Sequence, residues 1–381
     1  VAPIFLLGLL ALVAALCTWF GDRFRIPAAP LLLLAGSTLG HWLHLTLTWE
    51  QIFPLLGVTV CLSFFEGGLV MGSRQIELAG LSKKLVAIGP KLGWVLITGV
   101  AGLVLGLPGA LCLLLGAILM IFSSQSVVPL VSRLGGPRDV EELIAGECYL
   151  VSCLGAAWTA LMVLVINAHA THPGVLQTLV STTRLFLLGA LIGYLGARSL
   201  AWVLHTGGLS DTVREPVCLA WILFCYGTAH AVLPGAGLVA STILGKTLSQ
   251  SKVELPRPFY TSLQVCLVGL LGVLMGLLIP FSDLLRQPMS QIGFALLILM
   301  IRPLLVMAAT VKQKLTPAQK RSLWAVSPRG VVTLGVAATA AELLGHEAMP
   351  QTLILPVLTY WVVLTTNLVP WLLSFLAKSE P

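Results

Sequence analysis

The chain has 381 residues, 57% of them hydrophobic and only 10% charged, and a net charge of +7. Soluble domains carry about a quarter charged residues, so this composition cannot cover a water-facing surface and excludes an ordinary soluble protein. A polytopic membrane protein with many spans fits instead.

Apolar runs of bilayer length, separated by polar or Gly/Pro breaks, give thirteen spans. They lie at about 2–20, 27–45, 51–72, 84–106, 108–132, 140–168, 176–204, 214–230, 235–249, 257–280, 286–310, 318–343 and 350–377. Backbone in lipid must satisfy its own hydrogen bonds, and alternating strands of barrel type are absent, so an all-α polytopic fold is expected. The first run is too long, and too poorly flanked by basic residues, for a cleaved signal peptide.

With thirteen crossings, only Arg286 falls in the connections on the N-terminal side, and Lys91, Arg184, Arg302 and Arg329 lie within spans. The other 17 of the 22 basic residues fall on the opposite side, which the positive-inside rule places in the cytoplasm. The N-terminus is therefore expected outside and the C-terminus inside. The basic balance reads as a topology signal with some attraction to anionic lipid, and no nucleic-acid partner is expected. The eight cysteines all fall in apolar runs without CxxC or Cys/His spacing. They read as small buried thiols, with no metal site.

Of the 15 acidic residues, only Glu66 near the end of span three and Glu147 inside span six lie within spans rather than in loops or at span ends. A charge at membrane depth costs about 2.5–3.5 kcal/mol or more unless it is paired or faces water, so it marks a functional site or a locked ion pair. Glu66, beside Gly67 and Gly68, reads as a structural or entrance residue.

Span five carries the polar cluster Ser123-Ser124-Gln125-Ser126 followed by Pro129. Span twelve carries Ser327-Pro328-Arg329-Gly330. Small-residue packing explains either break alone, but two broken spans half a chain apart point to a midplane transport site. A polar linker at 207–213 joins the halves: a first repeat at about 1–170, a linker helix at about 176–204 and a second repeat at about 214–377. No phosphate-cradling glycine loop, nucleophile elbow or nucleotide fold is present, so neither an enzyme nor a cofactor is expected.

At these residues the chain resembles the monovalent cation:proton antiporters, the sodium/proton exchanger superfamily. Phe64-Phe-Glu-Gly-Gly-Leu69 is similar to the family's FFEGGL, and Arg133-Leu-Gly-Gly-Pro137 with Gly146-Glu147 to its ELGVP…GES run. Ile301-Arg-Pro-Leu-Leu305 resembles VRPL, and Trp324 through Thr333 resembles the GLRGAV crossover. The resemblance implies inverted repeats, with interrupted helices five and twelve crossing in a moving core, and a homodimer formed through the other helices. It implies alternating access at a site of helices 5, 6 and 12, with a monovalent cation and a proton as substrates. Compactness suggests a bacterial inner membrane.

The departures from the family are specific. Its Asn-Asp or Asp-Asp pair falls on Val151 and Ser152, and its Thr-Asp falls on Phe122 and Ser123, or with a small offset on Ser124 or Gln125. The resemblance assigns Glu147, Arg302 and Arg329 to a supporting salt-bridge layer. A seryl hydroxyl does not titrate in the range proton coupling needs, so Glu147 is the sole candidate proton carrier. Residues five apart on a helix are turned by about 140°, so Glu147 and Ser152 face different sides. Two arginines against one glutamate leave excess positive charge. Three readings stay open: an antiporter titrating at Glu147, an anion-handling or uncoupled transporter using the arginines, and a transport-inactive membrane scaffold or sensor.

Overall fold

The computed structural model describes residues 3–43, 49–72, 80–123, 127, 130–131, 134, 137–170, 175–206, 210–251, 257–310, 315–327, 329–344 and 350–376. Among these the regular structure is helical. The order is α1 (Pro3–Phe24), α2 (Ala28–Leu43), α3 (Trp49–Gly72), α4 (Gly80–Leu105), α5 (Gly109–Ile118) and α6 (Arg138–Ala170). There follow α7 (Val175–Thr206), α8 (Asp211–Val232), α9 (Ala236–Ser249), α10 (Arg257–Leu278) and the four-residue α11 (Phe281–Leu284). The last are α12 (Pro288–Thr310), α13 (Pro317–Ala325), α14 (Val331–Leu343), a 3₁₀ turn (Pro350–Leu353) and α15 (Ile354–Leu376).

Each expected span carries helix, and nine helices among the described residues are long and apolar enough to cross a membrane. The two broken spans are the informative exceptions. Helix α5 stops at Ile118 and the chain runs without helix through Ser123, while α13 and α14 are separated by Val326–Gly330. Pro129 and Pro328, expected beside these breaks, lie outside the described residues. Helix α13 starts on a capping box, Thr316 with Gln319, followed by Pro317. This pairing satisfies donors that a helix start leaves orphaned. Helix α14 starts at Gly330, whose N–H is taken by the Thr333 hydroxyl.

Helix packing repeats with an offset of seven spans. Helix α3 packs on α9 as α10 packs on α2, α1 packs on α2 as α8 packs on α9, and α4 (span four) packs on α12 (span eleven). Because seven is odd, equivalent spans of a serially threaded bundle run in opposite directions. The two strongest pairings use the same device. A Cβ on Gly68 would strike the Thr242 carbonyl and one on Gly245 the Phe65 carbonyl; Gly36 and Gly276 meet Val273 and Leu33 in the same way. Glycine lets backbones touch where lipid offers no hydrophobic drive for helices to associate.

Candidate functional site

Glu147 sits on α6, 2% exposed, and both its oxygens are held by Arg302 of α12, itself 3% exposed. Nη1 donates to Oε1 at 2.6 Å and Nη2 to Oε2 at 2.7 Å. A third Arg302 donor, Nε, reaches the Leu323 carbonyl of α13 at 3.2 Å. The forked, bidentate geometry is the arrangement that a buried ion pair requires.

Arg329 is the second buried guanidinium. Its Nε donates to the Leu119 carbonyl at 3.1 Å, and its Nη1 to the carbonyl and hydroxyl of Ser327. Leu119 follows the last residue of α5, and Ser327 lies two residues beyond the end of α13. One cation thus caps the C-terminal end of the first half-helix and holds the extended backbone just beyond the second. No carboxylate faces Arg329 among the described residues. Its backbone is fixed as well: its N–H meets the Thr366 hydroxyl at 3.3 Å and its carbonyl accepts from Asn367 Nδ2 at 2.7 Å. The Phe122 ring lies near both guanidiniums, 4.8 Å from Arg329 Cζ and 5.9 Å from Arg302 Cζ, within cation–π range.

Ser152 lies on the other side of α6 from Glu147, as the helical turn requires. Its hydroxyl accepts from the Phe122 N–H at 3.1 Å, and the Phe122 and Cys148 carbonyls lie at 2.9 and 2.6 Å. Where the family resemblance expects an ion-binding acid, this serine ties the first break to α6. The Thr333 hydroxyl donates to the Ile121 carbonyl at 2.9 Å, which ties α14 to the same break. Ser123 lies against Gly330, where a Cβ would collide with its side chain, so the two breaks touch.

The structure therefore brings together Glu147, Ser152, Ser123, Arg302 and Arg329. Val151, buried, joins Glu147 and both arginines around a narrow cleft against Gly89, Pro90 and Gly93 of α4. Glu66 is partly buried on α3 and lines neither this cleft nor the Ser152 cavity. Ser124 and Gln125 lie outside the described residues.

Several contributors escaped the sequence reading: Asn367, Ser63 and Gln264, and the contact of the Phe122 ring with both arginines. Ser63 on α3 and Gln264 on α10 join Ser123, Tyr149 and Ser152 around a cavity of about 40 Å³. Gln264 Nε2 donates to the Ser63 hydroxyl at 3.2 Å. The signal was present, since Gln264 and Asn367 are polar residues inside apolar runs. A second, largely apolar cavity of about 220 Å³ lies elsewhere between α3, α6, α8, α9 and α14 and contains His230 and Tyr226.

Solved structures match this architecture, among them two of one antiporter. The sodium proton antiporter MjNhaP1 from Methanocaldococcus jannaschii at pH 8 superposes with a TM-score of 0.79 at 21% identity, covering 96% of this chain and 98% of that one. A second structure of the same antiporter, from electron microscopy, gives 0.75 at 19% identity over 99% and 97%. At these identities the likeness establishes the fold. No curated protein matches the chain in sequence. The family described as sodium/hydrogen exchanger, transmembrane, matches residues 10–378, nearly the whole length, and the chain belongs to that family.

Proposed function

We propose that the chain is an integral membrane transporter working by alternating access, with its site where the break after α5, helix α6 and the break between α13 and α14 meet. The observation that carries this reading is the contact of Ser123 with Gly330, beside a buried charge cluster. Irregular backbone at membrane depth is tolerated only where it is buried in protein or lines a cavity, and the first break lines one beside the buried charge, as the broken helices of transporters do. Family membership and the likeness to a sodium proton antiporter support a monovalent cation and a proton as substrates. A homodimer in a bacterial inner membrane, N-terminus outside, completes the reading.

A second reading is favoured by one observation. Glu147 spends both oxygens on Arg302, and Ser152 stands where a titrating acid is expected. A chain so equipped would run uncoupled, handle an anion, or serve as a transport-inactive scaffold.

The test uses the full chain in proteoliposomes with an internal pH dye and sodium, potassium, lithium or chloride jumps. Alternating-access transport predicts protein-dependent flux of at least one ion. Folded protein that moves none of them refutes transport and leaves the scaffold.

A further inference from the structure

We propose that the cavity lined by Ser63, Gln264, Ser123 and Val332 binds a small monovalent inorganic anion of chloride size and does not bind an alkali cation. The inference rests on the second reading above, anion handling at the crossing of the two breaks, and names the anion class that the crossing accepts.

Several of the carbonyls that the broken helices offer to a cation already accept a hydrogen bond here. Leu119 accepts from Arg329 and Ile121 from Thr333, and the one Ser152 hydroxyl hydrogen is shared between the Cys148 and Phe122 carbonyls. At the second break, Ser327 accepts from Arg329 and Arg329 from Asn367. The Arg329 guanidinium thus sits where a transported cation would be drawn, tethered to the chain. A desolvated alkali ion entering the cavity would find no carboxylate among the described residues that line it.

The electrostatics run the other way. The adjoining cluster holds two guanidiniums and one carboxylate, formally one excess positive charge, since arginine stays protonated in proteins. Phe122 borders both the cavity and the cleft containing that cluster. Helix α14 begins at the cavity, with Val332 of its first turn in the wall, and a helix N-terminus carries partial positive charge.

Donors are available as well. The Ser123 hydroxyl bonds to no described residue, and Gln264 spends one amide hydrogen on Ser63, leaving the second free of Ser63. A volume of about 40 Å³ holds a few waters or one such ion. Gln264 and Ser63 belong to α10 and α3, opposite the two breaks, so they are the specificity-determining side of the cavity.

Thermal unfolding of the full chain in detergent tests this at fixed ionic strength. In one arm chloride or bromide replaces gluconate with sodium constant; in the other, sodium, potassium or lithium replaces choline with chloride constant. The inference expects the midpoint to rise with the halide and to ignore the cation. It expects Gln264→Leu to weaken the halide dependence about tenfold, as loss of a hydrogen bond to a charged ligand implies. Gln264→Asn is expected to restore part of it. A midpoint that follows the alkali cation, or neither ion, overturns the inference, as does a halide response untouched in Gln264→Leu.

Proteoliposomes separate this outcome from transport. Halide stabilisation without any flux leaves the site standing and removes the transport reading. Cation–proton exchange with no halide response removes the anion site and leaves transport standing.

Discussion

Arg329 belongs to the second break, yet its Nε donates to the Leu119 carbonyl at the close of the first half-helix, 3.1 Å away. The contact spans 210 residues of sequence and makes the two breaks one unit. Arg329→Ala leaves the Leu119 and Ser327 carbonyls without this donor in a buried setting. An unsatisfied buried acceptor costs about 1–3 kcal/mol, so unfolding in detergent is expected at markedly lower temperature. Arg329→Gln, which retains an amide donor, is expected to lose less; equal stability of Arg329→Ala and the parent chain would remove the coupling role.

The Glu147–Arg302 pair predicts a non-additive double mutant. Removing one partner of a buried pair costs about 3–5 kcal/mol because the other charge is stranded, whereas replacing both with apolar groups is near neutral. Glu147→Leu and Arg302→Met are each expected to destabilise strongly, and the double variant to recover most of the loss. The check is a denaturant titration of all four proteins in one detergent. Additive losses would mean that the pair is solvated.

Much of this was legible in the sequence. The thirteen runs are visible because length and hydropathy report membrane helices, and the breaks are visible because polar and Pro/Gly residues interrupt them. Glu147 and Arg302 were legible as charges inside apolar runs, and the family resemblance grouped them with Arg329. The role of Ser152 was not legible, since a serine codes equally for an ion path or for the backbone cap on Phe122 that it forms. The reciprocal glycines were hidden too: Gly36, Gly68, Gly245 and Gly276 do not differ in sequence from Gly99, which has open space around it. Such contacts depend on which helices become neighbours.

The contact between the breaks predicts a specific rescue. In Gly330→Ala the new Cβ collides with the Cβ and hydroxyl of Ser123. Overpacking of this kind costs about 1–3 kcal/mol and would force the breaks apart. Ser123→Gly removes both clashing atoms, so Gly330→Ala is expected to lose stability and any transport, and Gly330→Ala with Ser123→Gly to regain stability. Thermal unfolding of the single and double variants decides; absence of rescue would mean that α14 meets the first break differently.

Ser152→Asp tests whether the missing acid is what separates this chain from cation binding. The serine hydroxyl lies 2.9 Å from the Phe122 carbonyl and 2.6 Å from that of Cys148, while it accepts from the Phe122 N–H. A carboxylate there keeps the N–H as donor but brings negative charge against two carbonyl oxygens, a repulsion that a bound cation would relieve. The variant is therefore expected to be less stable than the parent in choline and to gain stability on addition of sodium or lithium. A ligand that binds only the folded state adds about 2.7 kcal/mol at one hundred times its Kd, so the midpoint would climb with cation concentration. The parent chain, with no carboxylate at this position and with the Leu119 and Ile121 carbonyls taken by Arg329 and Thr333, is expected to show no such climb. A cation response of equal size in both proteins would mean that the acid at this position is not the deciding group.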